Sequence, residues 1–306
     1  MTEERNVQFV ETKQRKGAGK VRRHRHIRFA SVLAKVVLII GALIILIPFW
    51  ILLITSFKSS SEIISADFTW WPKEFDVSGY VNAFNWETAA ITSNVLIGLG
   101  NTLLYTIPTT VIGLFVAGMS AYAFSKMHFK GREALFAVLL LTMVMPSTIV
   151  LIPQYTIYSM IGWIGTPWPL MIPGMFGTAG TVFFLRQYMR GVPDEILEAA
   201  QMDGLGKFRC YWYMILPVCV PAFIAQFVLN FITGYNDYLG PILFLGGGDP
   251  SRYTLQVVLS NMVGQSEREI TNRMANAVIA LVPLIFVYLF LQNFIIDGVS
   301  VSAVKG

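Results

Sequence analysis

The chain has 306 residues, of which 55% are hydrophobic and only 13% charged, and its mean hydropathy of +0.59 excludes an ordinary soluble globular domain. Two cysteines, Cys210 and Cys219, lack C-x-x-C spacing and read as small apolar residues rather than a disulfide framework or a zinc site.

Residues 1–30 form a basic tail with Arg5, Lys13, Arg15, Lys16, Lys20, Arg22, Arg23, Arg25 and Arg28. It is predicted to be a disordered cytoplasmic anchor attracted to anionic lipid rather than a nucleic-acid binder. His24 and His26 have no cysteine or carboxylate at ligand spacing, so no metal site is expected there. The apolar run that follows is too long for a signal h-region, and the first span is expected to stay in the mature protein.

Residues 31–306 read as one all-α polytopic membrane domain. A span needs about 20 predominantly apolar residues. Stretches meeting that need lie at about 32–56, 96–124, 134–159, 168–186, 212–236 and 274–296. The run from Ala134 to Leu185 has no charge and is too long for one helix. It divides at "IGWIGTPWP", Ile161 to Pro169, where glycines, prolines and tryptophans mark an interfacial turn. Lys126, Lys130, Arg132, Arg186, Arg190, Lys207, Arg209 and Lys305 fall on the same side as the basic tail. Both termini are therefore expected in the cytoplasm, with six spans between them.

Several chemistries are missing. "GLGKF", Gly204 to Phe208, lacks the first glycine and the hydroxyl of a phosphate loop, so this chain is not expected to hydrolyse ATP. No G-x-S-x-G or H-E-x-x-H pattern occurs, which argues against an intramembrane hydrolase. The middles of the six predicted spans hold no Asp, Glu, Lys or Arg. That suits a neutral polar solute or a transport cycle driven from outside the membrane.

Between spans 4 and 5 lies a stretch of different character, residues 193–212. Pro193 suits a first helical position, Asp194 and Glu195 favour the positive end of the helix dipole, and Asp203-Gly204 ends the helix. A second short helix is expected from Leu205 to about Trp212. The acidic residues disfavour a place among anionic headgroups. Glu198 amid small residues suits instead a cationic group on a protein partner.

"EAAQMDGLGKFRCYWYMILPVCVP", Glu198 to Pro221, resembles the EAA motif of the membrane subunits of ABC importers. Glu198, Ala199, Ala200, Asp203, Gly204, Leu216, Pro217 and Pro221 stand where that pattern asks. Leu205, Tyr211 and Met214 replace a common Ala, Phe and Ile. "TSFKSSSEI" (Thr55 to Ile63), "NTLLYT" (Asn101 to Thr106), "GYNDYLGPILFL" (Gly234 to Leu245) and "DGVSVSAVKG" (Asp297 to Gly306) resemble segments of the carbohydrate importers of the maltose type. Tyr235 replaces their usual Trp, and Ser300 and Ser302 are further substitutions. The combination is similar to the shorter, six-span subunit of the permease pair.

The resemblance implies a type I importer permease fold in a bacterial or archaeal plasma (inner) membrane. It implies a second homologous permease subunit, two ATPase subunits and an extracytoplasmic sugar-binding protein as partners. The chain itself would be non-catalytic and bind no cofactor, ATP and Mg being used by the ATPase subunits. Glu198, Ala199, Ala200, Asp203 and Gly204 would form the coupling helix, with Lys305 and Gly306 reaching the ATPase interface. The solute would be a carbohydrate, with an oligosaccharide favoured. The alternative is an importer for a non-sugar solute.

Pro217 and Pro221 read either as a hinge or as helix-start residues. Asn230 and Thr233, three apart on one helical face, with Tyr235, Asn236 and Asp237 beyond, suit either sugar hydroxyls and ring faces or hydrogen bonds between helices. The glycine-rich outer tip "GGGDPSRYT", Gly246 to Thr254, reads either as a flexible partner contact or as a plain solvated loop.

Overall fold

A computed structural model describes residues 31–65, 67–84, 94–262 and 270–303, with side chains as far as residue 294. The basic tail, Lys305 and Gly306 lie outside the described residues. Among the described residues every regular element is helical. The first span, α1 (Ser31–Thr55), belongs to a unit of its own, Met1–Thr55, and the rest of the chain from Ser56 forms a second unit. Leu38, Ile44 and Ile45 of α1 are exposed, as a lipid-facing helix requires.

The second unit begins with α2 (Ser60–Ile64) and α3 (Ser78–Phe84), followed by the long α4 (Val95–Lys126). Asn94 opens α4 by accepting the Leu96 N–H at 2.7 Å. At about 1.5 Å per residue its 32 residues exceed the roughly 30 Å of a hydrocarbon core. The third predicted span is a bent pair, α5 (Arg132–Val144) and α6 (Ser147–Met160), turning by 96°. Pro146 causes the turn: Met145, forced to the extended region before a proline, takes φ −74 and ψ 124.

The fourth span joins α7 (Trp168–Met175) to α8 (Ala179–Arg190) through Gly177, whose φ is +79. The α7–α8 join packs against α4 at glycine distance. A Cβ on Gly113 would lie 2.3 Å from the Gly174 carbonyl, and one on Gly177 would lie 2.7 Å from the Gly113 carbonyl. Only glycine lets these backbones meet.

After α9 (Asp194–Met202) and α10 (Lys207–Cys210), the fifth span starts with a π turn, Tyr211–Ile215, and continues as α11 (Leu216–Tyr235). The Leu216 N–H bonds the Tyr211 carbonyl five residues back. Pro217 falls in the first turn of α11, directly after the π turn, and Pro221 lies inside the helix, where each proline withholds one backbone N–H. The second short helix expected to reach Trp212 is therefore only one α turn, merged into span 5. The outer connection holds α12 (Leu239–Leu245), a 3-10 turn at Pro250–Arg252 and α13 (Leu255–Asn261). The chain then enters α14 (Ile270–Ala303).

Two cores hold the second unit together. One, at the end marked cytoplasmic by its cations, packs Ala117 and Ala121 of α4, Leu185 and Met189 of α8, Leu197 and Ala200 of α9, and Tyr211, Ile215 and Cys219 of span 5. The other, toward the opposite end, joins Val95, Phe231, Tyr235, Leu255 and Ala280. Cys210 and Cys219 are fully buried as free thiols.

Candidate functional site

Two features stand out: a presented helix at the cytoplasmic end and a polar cavity among the spans.

The presented helix is α9. Pro193 is its N-cap, with φ −58 and ψ 139, and Asp194 is the first helical residue. This corrects the expected placement of Pro193 by one position. The ending is a Schellman motif: the Gly204 N–H donates to the Gln201 carbonyl and the Leu205 N–H to the Ala200 carbonyl, both at 3.0 Å. Gly204 has a φ of +86, which glycine adopts without the penalty of a Cβ. Leu205 packs on the same core as Ala200, the apolar contact that accompanies this motif.

Burial divides α9 cleanly. Leu197 and Ala200 face the core, while Ile196, Glu198 and Ala199 are exposed. Asp203 and Gly204 are exposed at the turn. Met202 is 84% exposed and Phe208 65% exposed. The Glu198 carboxylate has no partner among the described residues. On α9, which lies outside the candidate membrane spans, a free carboxylate flanked by exposed Ile196 and Met202 has the composition of a docking surface.

A second set of residues, absent from the sequence-based candidates, fixes α9 to the bundle. Lys126, the last residue of α4, has a side chain only 3% exposed. Its Nζ donates to the Val192 carbonyl at 2.5 Å and to Asp194 Oδ1 at 2.6 Å. Beside it, the Arg186 guanidinium lies 3.7 Å over the Phe136 ring. Arg186 Nε donates to the Phe124 carbonyl at 3.1 Å, and Nη2 donates to Glu133 Oε2 at 3.4 Å. These cations count in the sequence as topology signals; nothing in their spacing announces that they brace α4, α5, α8 and α9 together.

The cavity, about 450 Å3 in volume, lies between α4, α6, α7, α8, α11 and α12. Its polar lining includes Thr106, Thr109 and Thr110 from α4, and Thr178 and Thr181 at the start of α8. Asn230 and Thr233 face it from α11. The Asn230 amide donates to Thr181 Oγ1 at 3.0 Å, so this residue both bridges helices and lines the cavity. The Thr233 hydroxyl donates to the Leu229 carbonyl.

Tyr235 and Asn236 are not part of this lining. Tyr235 is buried, its hydroxyl donating to the Ala280 carbonyl at 2.8 Å, and the Asn236 amide returns to the Ile232 carbonyl. Helix geometry explains the division. From Asn230 the same face continues through Thr233 and Gly234 to Asp237, and those are the residues that line the cavity.

The outer tip is anchored. Asn101 Nδ2 donates to the Ser251 and Tyr253 carbonyls at 2.7 and 3.0 Å. Arg252 Nη1 donates to the Gly165 carbonyl at 2.9 Å. Asn101 belongs to the "NTLLYT" segment, whose amide thus fixes the 3-10 turn.

Comparison with known proteins agrees with this architecture. The family described as "Binding-protein-dependent transport system inner membrane component" matches residues 109–301. The "Inner membrane ABC transporter permease protein YcjP" of Escherichia coli K12 is 30% identical over 86% of this chain and 92% of its own length. The "Arabinooligosaccharides transport system permease protein AraQ" of Bacillus subtilis 168 is 28% identical over 87% of this chain and 92% of its own. A chain from the "Crystal structure of a bacterial ABC transporter involved in the import of the acidic polysaccharide alginate" shares the fold. It superposes with a TM-score of 0.74 at 24% identity, covering 87% of this chain and 96% of that one. With its apolar helices, its bent α5–α6 pair and its presented helix, the chain is a multi-pass inner-membrane protein and belongs to the family of inner-membrane permease components of binding-protein-dependent ABC transport systems.

Proposed function

We propose that this chain is the non-catalytic permease subunit of an ATP-driven importer for a carbohydrate, in particular an oligosaccharide. Its partners would be a second homologous permease, two ATPase subunits and an extracytoplasmic sugar-binding protein. The observation that carries the proposal is α9. Its inner face is anchored by Leu197, Ala200 and the Lys126 contacts, while its outer face leaves Glu198, Ala199 and Met202 exposed. A helix held so firmly on one side and open on the other suits the transmission of a push from outside the membrane.

In this mechanism ATP and Mg are bound by the ATPase subunits, and this chain binds no cofactor. Closure of the ATPase pair moves α9, and Lys126 passes that motion to the end of α4, which lines the cavity along its middle. The π turn at Tyr211–Ile215 lets span 5 adjust beneath the coupling helix. Similarity to the AraQ protein, named for arabinooligosaccharide transport, supports the solute class, as does a cavity rich in hydroxyl groups.

The test is ATP hydrolysis by the reconstituted complex, with and without binding protein loaded from a sugar panel. Loaded binding protein should stimulate the wild type, and Glu198→Ala and Gly204→Asp should lose that stimulation. Absence of any co-purifying ATPase, or full stimulation in both variants, would overturn the proposal.

A further inference from the structure

The cavity has a property that the importer reading does not require. Among the residues that line it there is no Lys, Arg or His, and Asp237 is the one charged group. Asp237 Oδ1 accepts the Gly240 N–H at 3.3 Å, which turns the carboxylate toward the wall of α12 at the cavity's outer end. The nearby cation, Arg252, is held by the Gly165 carbonyl and lies 4.0 Å from Asp249, giving a formally neutral pair outside the lining. Tyr105 lines the cavity as well, its hydroxyl donating to the Arg252 carbonyl at 3.4 Å.

Two hydroxyls in the lining are idle. Thr254 is only 5% exposed, and its Oγ1 is buried without a hydrogen-bond partner. It does not cap its own helix; the Leu255 N–H goes instead to Thr102 Oγ1 at 2.9 Å. Thr109 Oγ1 is also buried and unpartnered. A buried hydroxyl left unmatched costs about 1–3 kcal/mol unless something fills the role, and both of these belong to the wall of one cavity.

Resting on the importer reading above, we infer that this subunit carries its own sugar subsite in this cavity, that Thr109 and Thr254 hydrogen-bond the hydroxyls of a neutral sugar ring there, and that Asp237 excludes rings bearing a carboxylate. A uronate entering the cavity would meet no cation to pair with and one carboxylate to repel it. A neutral ring brings donors and acceptors that match the waiting hydroxyls. The surrounding walls raise the Asp237 carboxyl above the usual carboxylate range, opposed by the Gly240 and Leu239 amides. The exclusion therefore weakens as acid pH neutralises the group. The alginate importer with which this chain shares its fold is named for an acidic polysaccharide; here the cavity is lined without a cation.

The test uses the full complex in nanodiscs, with Thr254→Cys and Thr109→Cys introduced singly and the labelling of wild type, whose thiols are buried, subtracted. Cationic and anionic methanethiosulfonate reagents report the charge of the cavity. The cationic reagent should react faster by on the order of 5-fold at low salt, and Asp237→Asn should abolish that preference. Neutral trisaccharides of glucose, arabinose and xylose form the second arm, with trigalacturonate as the comparison. At least one neutral sugar should slow labelling at both positions, and trigalacturonate should not unless Asp237→Asn is present.

Equal protection by trigalacturonate in the otherwise unaltered cavity overturns the charge exclusion. Absence of protection by every neutral sugar overturns the subsite. If loaded binding protein still stimulates ATP hydrolysis in that case, the importer reading stands and only the subsite falls.

Discussion

Replacing Lys126 by Met keeps the packed stem and removes the ammonium that joins α4 to α9. Two contacts disappear: the one to the Val192 carbonyl at 2.5 Å and the one to Asp194 at 2.6 Å. They are not equal. Val192 is 6% exposed, so its carbonyl is left buried and unmatched at a cost of about 1–3 kcal/mol. Asp194 is 74% exposed, and water takes over its carboxylate, which limits that loss to under about 1 kcal/mol. Relief of the buried ammonium's desolvation offsets part of the total. A net cost of about 2 kcal/mol corresponds to a roughly 30-fold rise in the undocked population of α9. Hydrogen exchange of the amides from Val192 to Gly204, read by mass spectrometry on the intact complex, reports that population. Lys126→Met should accelerate exchange across this segment alone, and Asp194→Asn should change it several-fold less. If Asp194→Asn opens the segment as much as Lys126→Met does, the exposed ion pair rather than the buried carbonyl contact holds the helix, and the reasoning fails.

Gly113→Ala drives a methyl to 2.3 Å from the Gly174 carbonyl and should lower the thermal midpoint of the purified complex by an amount matching overpacking, about 1–3 kcal/mol or more. Gly204→Ala meets nothing within 4 Å and should cost only the left-handed backbone penalty, about 1–2 kcal/mol; a Gly113→Ala loss under about 1 kcal/mol would refute the close-packing account of Gly113. Tyr235→Phe removes a buried hydrogen bond to Ala280 and should destabilise by about 0.5–1.5 kcal/mol while leaving sugar selectivity unchanged in uptake assays. For Asp237 the folded carboxyl sits above its unfolded value, so the native state binds more protons and stability falls as pH rises through that window. Asp237→Asn should therefore be the more stable protein at neutral pH and lose its advantage as pH drops below the unfolded carboxylate range, read from thermal midpoints across pH.

The spans and helix α9 were legible because each rests on a local rule. Charge-free runs of span length mark the bundle, and Asp203-Gly204 marks the Schellman end of α9. The bend inside the third span had a signal in Met145-Pro146, yet an uninterrupted apolar run conceals a corner that only backbone sterics impose. From the sequence, Asn230 and Thr233 share one helical face with Tyr235, Asn236 and Asp237 beyond; the cavity is lined by Asn230, Thr233 and Asp237 because that face passes through Gly234, and Tyr235 and Asn236 lie off it. Thr109, Thr254, Lys126 and Arg186 were not legible as a site. Their roles depend on partners between about 50 and 150 residues away in sequence, such as Glu133 for Arg186 and the cavity wall shared by α4 and the outer connection.

The central claim, that α9 is the port through which an ATPase drives this permease, is tested most directly by photo-cross-linking. A benzophenone is attached to Ala199→Cys, on the exposed face of the helix, and in a parallel sample to Val37→Cys in the first span. Irradiation of the assembled complex should join position 199 to an ATPase subunit and position 37 to lipid, with both adducts identified by mass spectrometry. Lipid adducts at position 199 like those at position 37, with no ATPase peptide, would show that the helix lies in the headgroups and would contradict the account.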